Sequence, residues 1–223
     1  MQHKTRLVQF PTVLLSSIVS VVDVVGDGNC GYRALAVSLG RPEDDWKLVR
    51  TELYHEIAGR REFYERQSQE HIADLQNCVD HLLNEERPVG IDHWMRMPQL
   101  GDAIDNTYQR LVHFYPVSGT SMTFLPSWVP PNDLSPLCFA FVNGNHFVSL
   151  TLQLEAPAAP VAAYWRRFTP TASLKWEEKI QCKLSKWENR QKSTSTHPPV
   201  TIESRKMLGN TLLARTREAD GSR

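Results

Sequence analysis

A cysteine stands where a glycine-rich turn is predicted to become a helix. The segment reads Gly26-Asp27-Gly28-Asn29-Cys30, and apolar residues recur with helical spacing after it. Backbone N–H groups and the positive end of the helix dipole would stabilise a thiolate here, so the position predicts a lowered pKa for Cys30. The N–H groups of Gly28, Asn29 and Cys30 could also hold a developing oxyanion. Cys30 is therefore either a reactive nucleophile or an ordinary buried cysteine after a turn.

A nucleophilic thiol needs a base within hydrogen-bond reach, and one of the eight histidines stands out by its context. His146 opens a predicted β-strand directly after Asn143-Gly144, a dipeptide typical of type I′ hairpin turns. Alternation along this strand places His146 on the same face as Val148 and Leu150. A polar group at the end of an apolar face needs a partner, and Cys30 is a candidate.

The spacing of apolar residues predicts the helices and strands that must position Cys30 and His146, and this spacing changes from helical to strand-like along the chain. Helical spacing predicts four helices, beginning near Cys30, at Pro42, at about Ile72 and at Pro98. Short β-prone runs then cover Leu111–Tyr115, Met122–Leu125, Leu137–Val142 and His146–Leu152. Helices followed by strands predict an α+β fold with a small, mainly antiparallel sheet packed against helices.

Composition narrows the class of protein. The 223 residues carry 25 basic and 25 acidic side chains, so the net charge of zero argues against a general nucleic-acid binder. Four widely spaced cysteines without C-x-x-C spacing predict reduced thiols, no zinc site and a location in the cytoplasm or nucleus. No metal or other cofactor is expected.

The apolar run at Val13–Val25 superficially resembles a signal peptide, but serines and Asp23 interrupt it. It is also shorter than the roughly 20 apolar residues of a membrane-spanning helix. We therefore expect a buried helix or strand here and no membrane association.

The C-terminal part differs in composition from the rest. We expect a lead segment at 1–20, a catalytic domain at 21–168, a helical extension at 169–190 and a disordered basic tail at 191–223. From Lys183 onward, nine basic residues face four acidic ones, a net charge of +5. This tail could contact an anionic partner, although its charge is too sparse to predict nucleic-acid binding. The oligomeric state is not predicted.

Two motifs, GDGNCGYRALA and VNGNHFVSL, resemble in sequence and order those of the ovarian tumour (OTU) family of cysteine proteases. WMRMP at Trp94–Pro98, TFLP at Thr123–Pro126 and the proline-rich loop after it resemble the transposon-associated, FAR1- and Mutator-like branch. The resemblance covers about residues 21–165. It implies a papain-type fold with a small sheet between helical layers, Cys30 as nucleophile and His146 as general base.

The resemblance leaves open which residue orients His146. Many OTU proteases place an Asp or Asn two residues after the histidine, and this chain has Val148 there. Some members use instead the aspartate three residues before the cysteine, which is Asp27. Asp27 is thus a candidate for orienting His146 or for holding the oxyanion loop, unless it only stabilises its own turn. Asn143 and Asn145 are further candidates.

The activity implied is hydrolysis of peptide or isopeptide bonds after the C-terminal glycine of ubiquitin or a ubiquitin-like modifier. The partners would then be that modifier and its conjugates. Val148 favours an alternative, a catalytically inactive OTU-like module that binds ubiquitin or belongs to a mobile-element protein.

Overall fold

The structure is a computed structural model that describes residues 10–67, 72–80, 89–163 and 165–196. The predicted end of the third helix, beyond Asp80, lies outside these residues. The predicted disordered tail at 191–223 lies outside them from residue 197 onward, whereas its first residues, 191–196, are helical rather than disordered.

Helices dominate the first half of the chain. They are α1 (Thr12–Leu15), α2 (Cys30–Ser38), α3 (Trp46–Gly59), α4 (Arg61–Gln67), α5 (Ile72–Cys78) and α6 (Gly101–Tyr108), with short 3₁₀ turns at Glu43–Asp45 and Ile91–His93. The predicted start of α2 at Cys30 is confirmed. The predicted start of α6 at Pro98 is wrong by three residues, because the Pro98 carbonyl accepts a turn hydrogen bond from Gly101 N (3.0 Å) before the helix begins.

Five strands of the described residues form one sheet in the order β1-β5-β4-β2-β3. They are β1 (Ile18–Asp23), β2 (Val112–Pro116), β3 (Met122–Phe124), β4 (Leu137–Val142) and β5 (His146–Leu152). Neighbours pair antiparallel except β2 with β4, which are parallel. The apolar segment after residue 12 thus forms α1 and then the edge strand β1. The predicted α+β class with a mainly antiparallel sheet is confirmed.

The turn between β4 and β5 sets the register of β5. Asn143 and Gly144 both adopt positive φ, 57° and 74°, as a type I′ turn requires. Val142 then pairs with His146, and Phe139 with Ser149. His146 is therefore the first residue of β5, at the end of the sheet.

Alternation along the strands gives the sheet two buried faces. Phe114, Phe139 and Phe147 pack on one side, with residues of α2, α3 and α6. Ala140, Val148 and Leu150 pack on the other side, with α1 and with Trp187 of the last helix. The sheet therefore lies between helical layers.

After the sheet come α7 (Trp165–Phe168), a 3₁₀ turn at Thr171–Ser173 and α8 (Lys175–Thr196). By internal contacts the chain divides into Met1–Glu188 and Asn189–Arg223. The first unit contains the sheet and both of its buried faces. In the second unit, the described residues 189–196 are the end of α8. No helix within the described ranges is long and apolar enough to cross a membrane.

Candidate active site

The imidazole of His146 is hydrogen-bonded to a carboxylate from the neighbouring strand. His146 Nε2 lies 2.8 Å from Oδ1 of Asp23, the last residue of β1. The histidine side chain is 15% exposed and the aspartate side chain 46%. A carboxylate can only accept here, so Nε2 carries a proton, and in the neutral ring Nδ1 is then the nitrogen that keeps its lone pair. Nδ1 is therefore the basic nitrogen.

The register of β1 against β5 explains how Asp23 reaches the histidine. Asp23 pairs directly with Val148, the residue two positions after His146. Directly opposed residues of an antiparallel pair share one face of the sheet, and so do residues two apart on a strand. Asp23 therefore supplies, from across the ladder, the acceptor that Val148 lacks.

Sequence reasoning missed Asp23 as a site residue and noted it only as an interruption of an apolar run. The available signal was a single carboxylate ending a strand-like run, Ile18–Val22. Pairing this strand with β5 joins positions more than a hundred residues apart, and periodicity contains no information about that pairing.

Cys30 begins α2 beside the strand that carries His146. Burial raises the pKa of the Cys30 thiol above its ordinary value, and this outweighs the backbone N–H groups of Phe147 and Gly31, which stabilise the thiolate. The predicted lowered pKa is thus wrong for the resting protein. The N–H of Phe147 belongs to the residue after His146, so the predicted nucleophile lies against the strand that carries the predicted base.

Asp27 binds within its own loop. Its Oδ2 accepts from Arg33 Nη2 at 2.8 Å, and its Oδ1 accepts from the backbone N–H of Asn29 at 2.9 Å. Burial raises the pKa of Asp27, but the bonds from Arg33 and Asn29 outweigh it and hold this pKa below its ordinary value. The carboxylate bonded to His146 is that of Asp23, so this geometry does not give Asp27 the orienting role; its bonds fit both holding the loop before Cys30 and stabilising only its own turn.

The same contacts revise the set of oxyanion donors. The N–H of Asn29 already donates to Asp27, so it is occupied and is removed from the predicted set. The N–H groups of Gly28 and Cys30 stay predicted donors.

The glycine turn is pressed against the segment that contains the WMRMP motif. Gly28 has φ +86°, and a Cβ there would lie 2.4 Å from the Val89 carbonyl oxygen and 2.8 Å from Trp94 Nε1. Val89 N donates to the Asp27 carbonyl at 2.9 Å, and Trp94 Nε1 donates to the Val89 carbonyl at 2.9 Å. Glycine is thus required at position 28 by both conformation and space.

Arg50, which sequence reasoning also missed, braces the turn from α3. Its guanidinium is fully buried and donates to Asn29 Oδ1 from Nε at 3.1 Å and Nη2 at 2.9 Å. It also donates to the carbonyls of Cys78 and His93 and stacks over the Tyr32 ring at 3.9 Å. These contacts fix the Asn29 side chain, and with it the start of α2.

The other thiols differ from Cys30 in their surroundings. Burial raises the pKa of Cys78 to about 11 and that of Cys138 to about 12. Cys182 is exposed on α8. Over residues 10–67, 72–80, 89–163 and 165–196, no cluster of three His, Cys, Asp or Glu side chains could hold a metal ion.

No family model and no curated protein matches the chain. Three solved OTU domains resemble it. The OTU domain of OTUD1 is 18% identical with a TM-score of 0.41, over 59% of this chain and 84% of that one. The viral OTU protease of Dera Ghazi Khan virus is 13% identical with a TM-score of 0.43, over 63% and 84%. The Hazara virus OTU bound to ubiquitin is 17% identical with a TM-score of 0.40, over 60% and 80%.

Proposed function

We propose that this chain is a cysteine-type peptidase that hydrolyses peptide or isopeptide bonds after the C-terminal glycine of ubiquitin or a ubiquitin-like modifier. The observation that carries the proposal is the hydrogen bond between Asp23 and His146 at the end of β5. The next residue of β5, Phe147, directs its backbone N–H at Cys30. A thiol, a base and a group orienting that base are the parts that nucleophilic acyl transfer needs.

The roles follow from the hydrogen-bond pattern. Asp23 accepts from Nε2–H, which leaves Nδ1 to take the proton of the Cys30 thiol as sulfur attacks the substrate carbonyl. The carbonyl oxygen becomes an oxyanion, held by the N–H groups of Gly28 and Cys30. As the tetrahedral intermediate collapses, His146 returns the proton to the leaving amine and a thioester with Cys30 remains. Water, deprotonated by Nδ1, then cleaves the thioester and restores the thiol.

A raised pKa for Cys30 indicates how the cycle begins. The resting thiol is protonated, so the site does not begin as a thiolate–imidazolium pair. Proton transfer to His146 accompanies attack once substrate covers the site. Asp23 then lies against the imidazolium and stabilises its charge.

The choice of ubiquitin rests on the motifs quoted above, as does placement in the transposon-associated branch. One of the similar structures is an OTU domain bound to ubiquitin, which agrees with that choice of partner. The inactive alternative depended on Val148, and Asp23 supplies an acceptor at that place.

A ubiquitin amide with a fluorogenic leaving group tests the proposal. We expect wild-type protein to release the fluorophore, and Cys30→Ala and His146→Ala to lose at least about 10³-fold in rate. Cys182→Ala, which removes the exposed thiol, should keep full activity. Saturable binding of ubiquitin without turnover by folded wild-type protein would contradict hydrolysis and establish the binding-only alternative.

A further inference from the structure

A cavity of about 340 Å³ lies away from the candidate active site. Residues of β1, the end of α2, β2, β4, β5 and α8 line it, among them Val22, His113, Cys138, Leu150 and Lys183. Its volume falls within the range of small-molecule sites, about 300–1,000 Å³. Cys30, His146 and Asp23 are not part of its wall, so the proposed hydrolysis gives this cavity no role.

The hydrogen bonds around His113 fix which of its ring nitrogens is protonated. Thr123 Oγ1 donates its only proton to the Ala159 carbonyl at 2.7 Å. The bond between Thr123 Oγ1 and His113 Nδ1, at 2.9 Å, must therefore be donated by Nδ1–H. Nε2 then bears a lone pair, and among the described residues it has no hydrogen-bond partner. Burial, aided by the nearby Lys183, lowers the pKa of His113 to about 3, so the ring stays neutral.

The wall thus contains a hydrogen-bond acceptor that no donor among the described residues meets. The residue as a whole is only 4% exposed. A ligand N–H or O–H in the cavity would provide a donor for this nitrogen.

Lys183 places a positive charge at the same cavity. Its ammonium acts electrostatically on both His113 and Cys138. Within the part of the chain that the structure describes, Lys183 makes no ion pair. The nearby carboxylate of Glu155 is instead hydrogen-bonded to Lys186 Nζ at 2.6 Å. Lys183 also lies close enough to Glu155 to act on it electrostatically, but an anionic group in the cavity would still meet a cation that has no ion-pair partner among the described residues.

The rest of the wall is mixed, with hydroxyl and amide side chains beside a larger apolar part. Val22, Leu150, Leu152, Ala156 and Pro157 contribute hydrocarbon surface. A ligand that matches all three features needs an apolar body, one negative charge and a hydrogen-bond donor.

We propose that this cavity binds a small amphipathic carboxylic acid, with its carboxylate on Lys183, its apolar body against β1 and β5 and a hydroxyl donating to His113 Nε2. The inference does not depend on the proposed hydrolysis, because it concerns a different cavity and is tested by binding.

Octanoate, its neutral analogue octanamide and 3-hydroxyoctanoate serve as probes, titrated into the full chain and followed by NMR and calorimetry. Octanoate should bind wild-type protein saturably and at least about tenfold more tightly than octanamide. Lys183→Gln should weaken octanoate binding by at least about tenfold, while Lys186→Gln, one turn away and paired outside the cavity, should leave it unchanged. Equal binding by both variants, or no saturable binding to wild-type protein, would overturn the proposal.

The role of His113 has its own readout, which avoids mutating a buried residue. With ¹⁵N-labelled histidine, the free protein should show His113 Nε2 at the chemical shift of an unprotonated nitrogen. Addition of 3-hydroxyoctanoate should move this resonance, and octanoate should move it much less. A protonated Nε2 in the free protein, or equal responses to the two acids, would remove His113 from the site.

Discussion

At the residue scale, the candidate active site depends on one carboxylate. Asp23 lies 2.8 Å from His146 Nε2 and fixes both the tautomer and the direction in which the imidazole can act as a base. Val148, buried at the position from which many OTU proteases supply this group, cannot accept a hydrogen bond. Because Asp23 of β1 pairs with Val148 of β5, β1 supplies the hydrogen-bond acceptor that β5 lacks at this position.

Removal of this carboxylate should slow hydrolysis without unfolding the protein. Asp23→Ala is expected to lower kcat/KM by on the order of 10²–10⁴-fold, because the imidazole loses its acceptor and its charge stabilisation. Steady-state kinetics on a fluorogenic ubiquitin amide measure the loss. Adding Val148→Asn to Asp23→Ala should recover part of the activity, since an amide then lies two residues after His146. Full activity of Asp23→Ala would contradict the assigned role.

Burial of the Cys30 thiol predicts how its reactivity depends on pH. Because burial raises the pKa of Cys30, little thiolate exists at pH 7, and alkylation by iodoacetamide should accelerate with pH. The profile should report a pKa above about 8.5, the ordinary value for a free thiol. Mass spectrometry of the peptide containing Cys30 follows the rate separately from that of exposed Cys182. A rate that stays constant down to pH 6 would mean a preformed thiolate and contradict this prediction.

Both Asp27 and Asp44 form ion pairs with Arg33. Removing the charge of Asp27 should lower the free energy of unfolding more than removing that of the exposed Asp44. Asp27→Asn weakens the contact to Arg33, which is only 8% exposed, and should cost about 1–3 kcal/mol of unfolding free energy. Asp44→Asn removes a partner whose side chain is 88% exposed and should cost under about 1 kcal/mol. Urea denaturation at pH 7 measures both. Equal costs would contradict the bracing role of Asp27.

The Asp27–Arg33 ion pair also predicts how the stability of the protein changes with pH. The pKa of Asp27 is lowered in the folded state, so its contribution is present above the unfolded pKa of about 3.9 and disappears as the pH falls through the folded pKa. The stability difference between wild type and Asp27→Asn should therefore shrink below about pH 4.

At the scale of elements, the glycine turn and the Val89–Trp94 segment position the start of α2. Gly28 and Gly40 have similar positive φ, +86° and +77°. Substituting each of them therefore distinguishes the effect of backbone strain from the effect of close packing around the glycine. A Cβ at Gly40 would meet no atom within 4 Å, whereas one at Gly28 would overlap the backbone of Val89.

Gly40→Ala should therefore cost only the backbone strain, about 1–2 kcal/mol, and keep activity. Gly28→Ala should cost more and should also lower kcat/KM, because Val89 and Trp94 must shift away from the turn. Thermal unfolding and steady-state kinetics on the two variants make the comparison. Identical effects of both substitutions would show that the segment does not hold the turn.

How far the sequence predicts these elements depends on how local each signal is. The start of α2 at Cys30 and the Asn143-Gly144 hairpin follow from local chemistry, and both lie where expected. The β1–β5 pairing is long-range, so Asp23 was missed. The occupied N–H of Asn29 was also missed, since an Asp side chain can bind its own loop or reach across a cleft and only three-dimensional packing decides.

At the scale of the whole molecule, the candidate active site and the carboxylate cavity share no lining residue. Cys30 packs with the apolar layer formed by α2, α3 and α6. The other face of the sheet carries His113 and Cys138. Loss of hydrolysis and loss of carboxylate binding should therefore be separable by mutation, with Cys30→Ala affecting the first and Lys183→Gln the second.

The most direct test of the central claim is intact-protein mass spectrometry after incubation with ubiquitin that carries a thiol-reactive group at its C-terminus. The account predicts one adduct per chain on wild-type protein, none on Cys30→Ala, slow formation on His146→Ala and unchanged formation on Cys182→Ala. An adduct that persists on Cys30→Ala would contradict the assigned nucleophile. No adduct on folded wild-type protein, while iodoacetamide still labels Cys30, would contradict ubiquitin as the modifier that the site recognises.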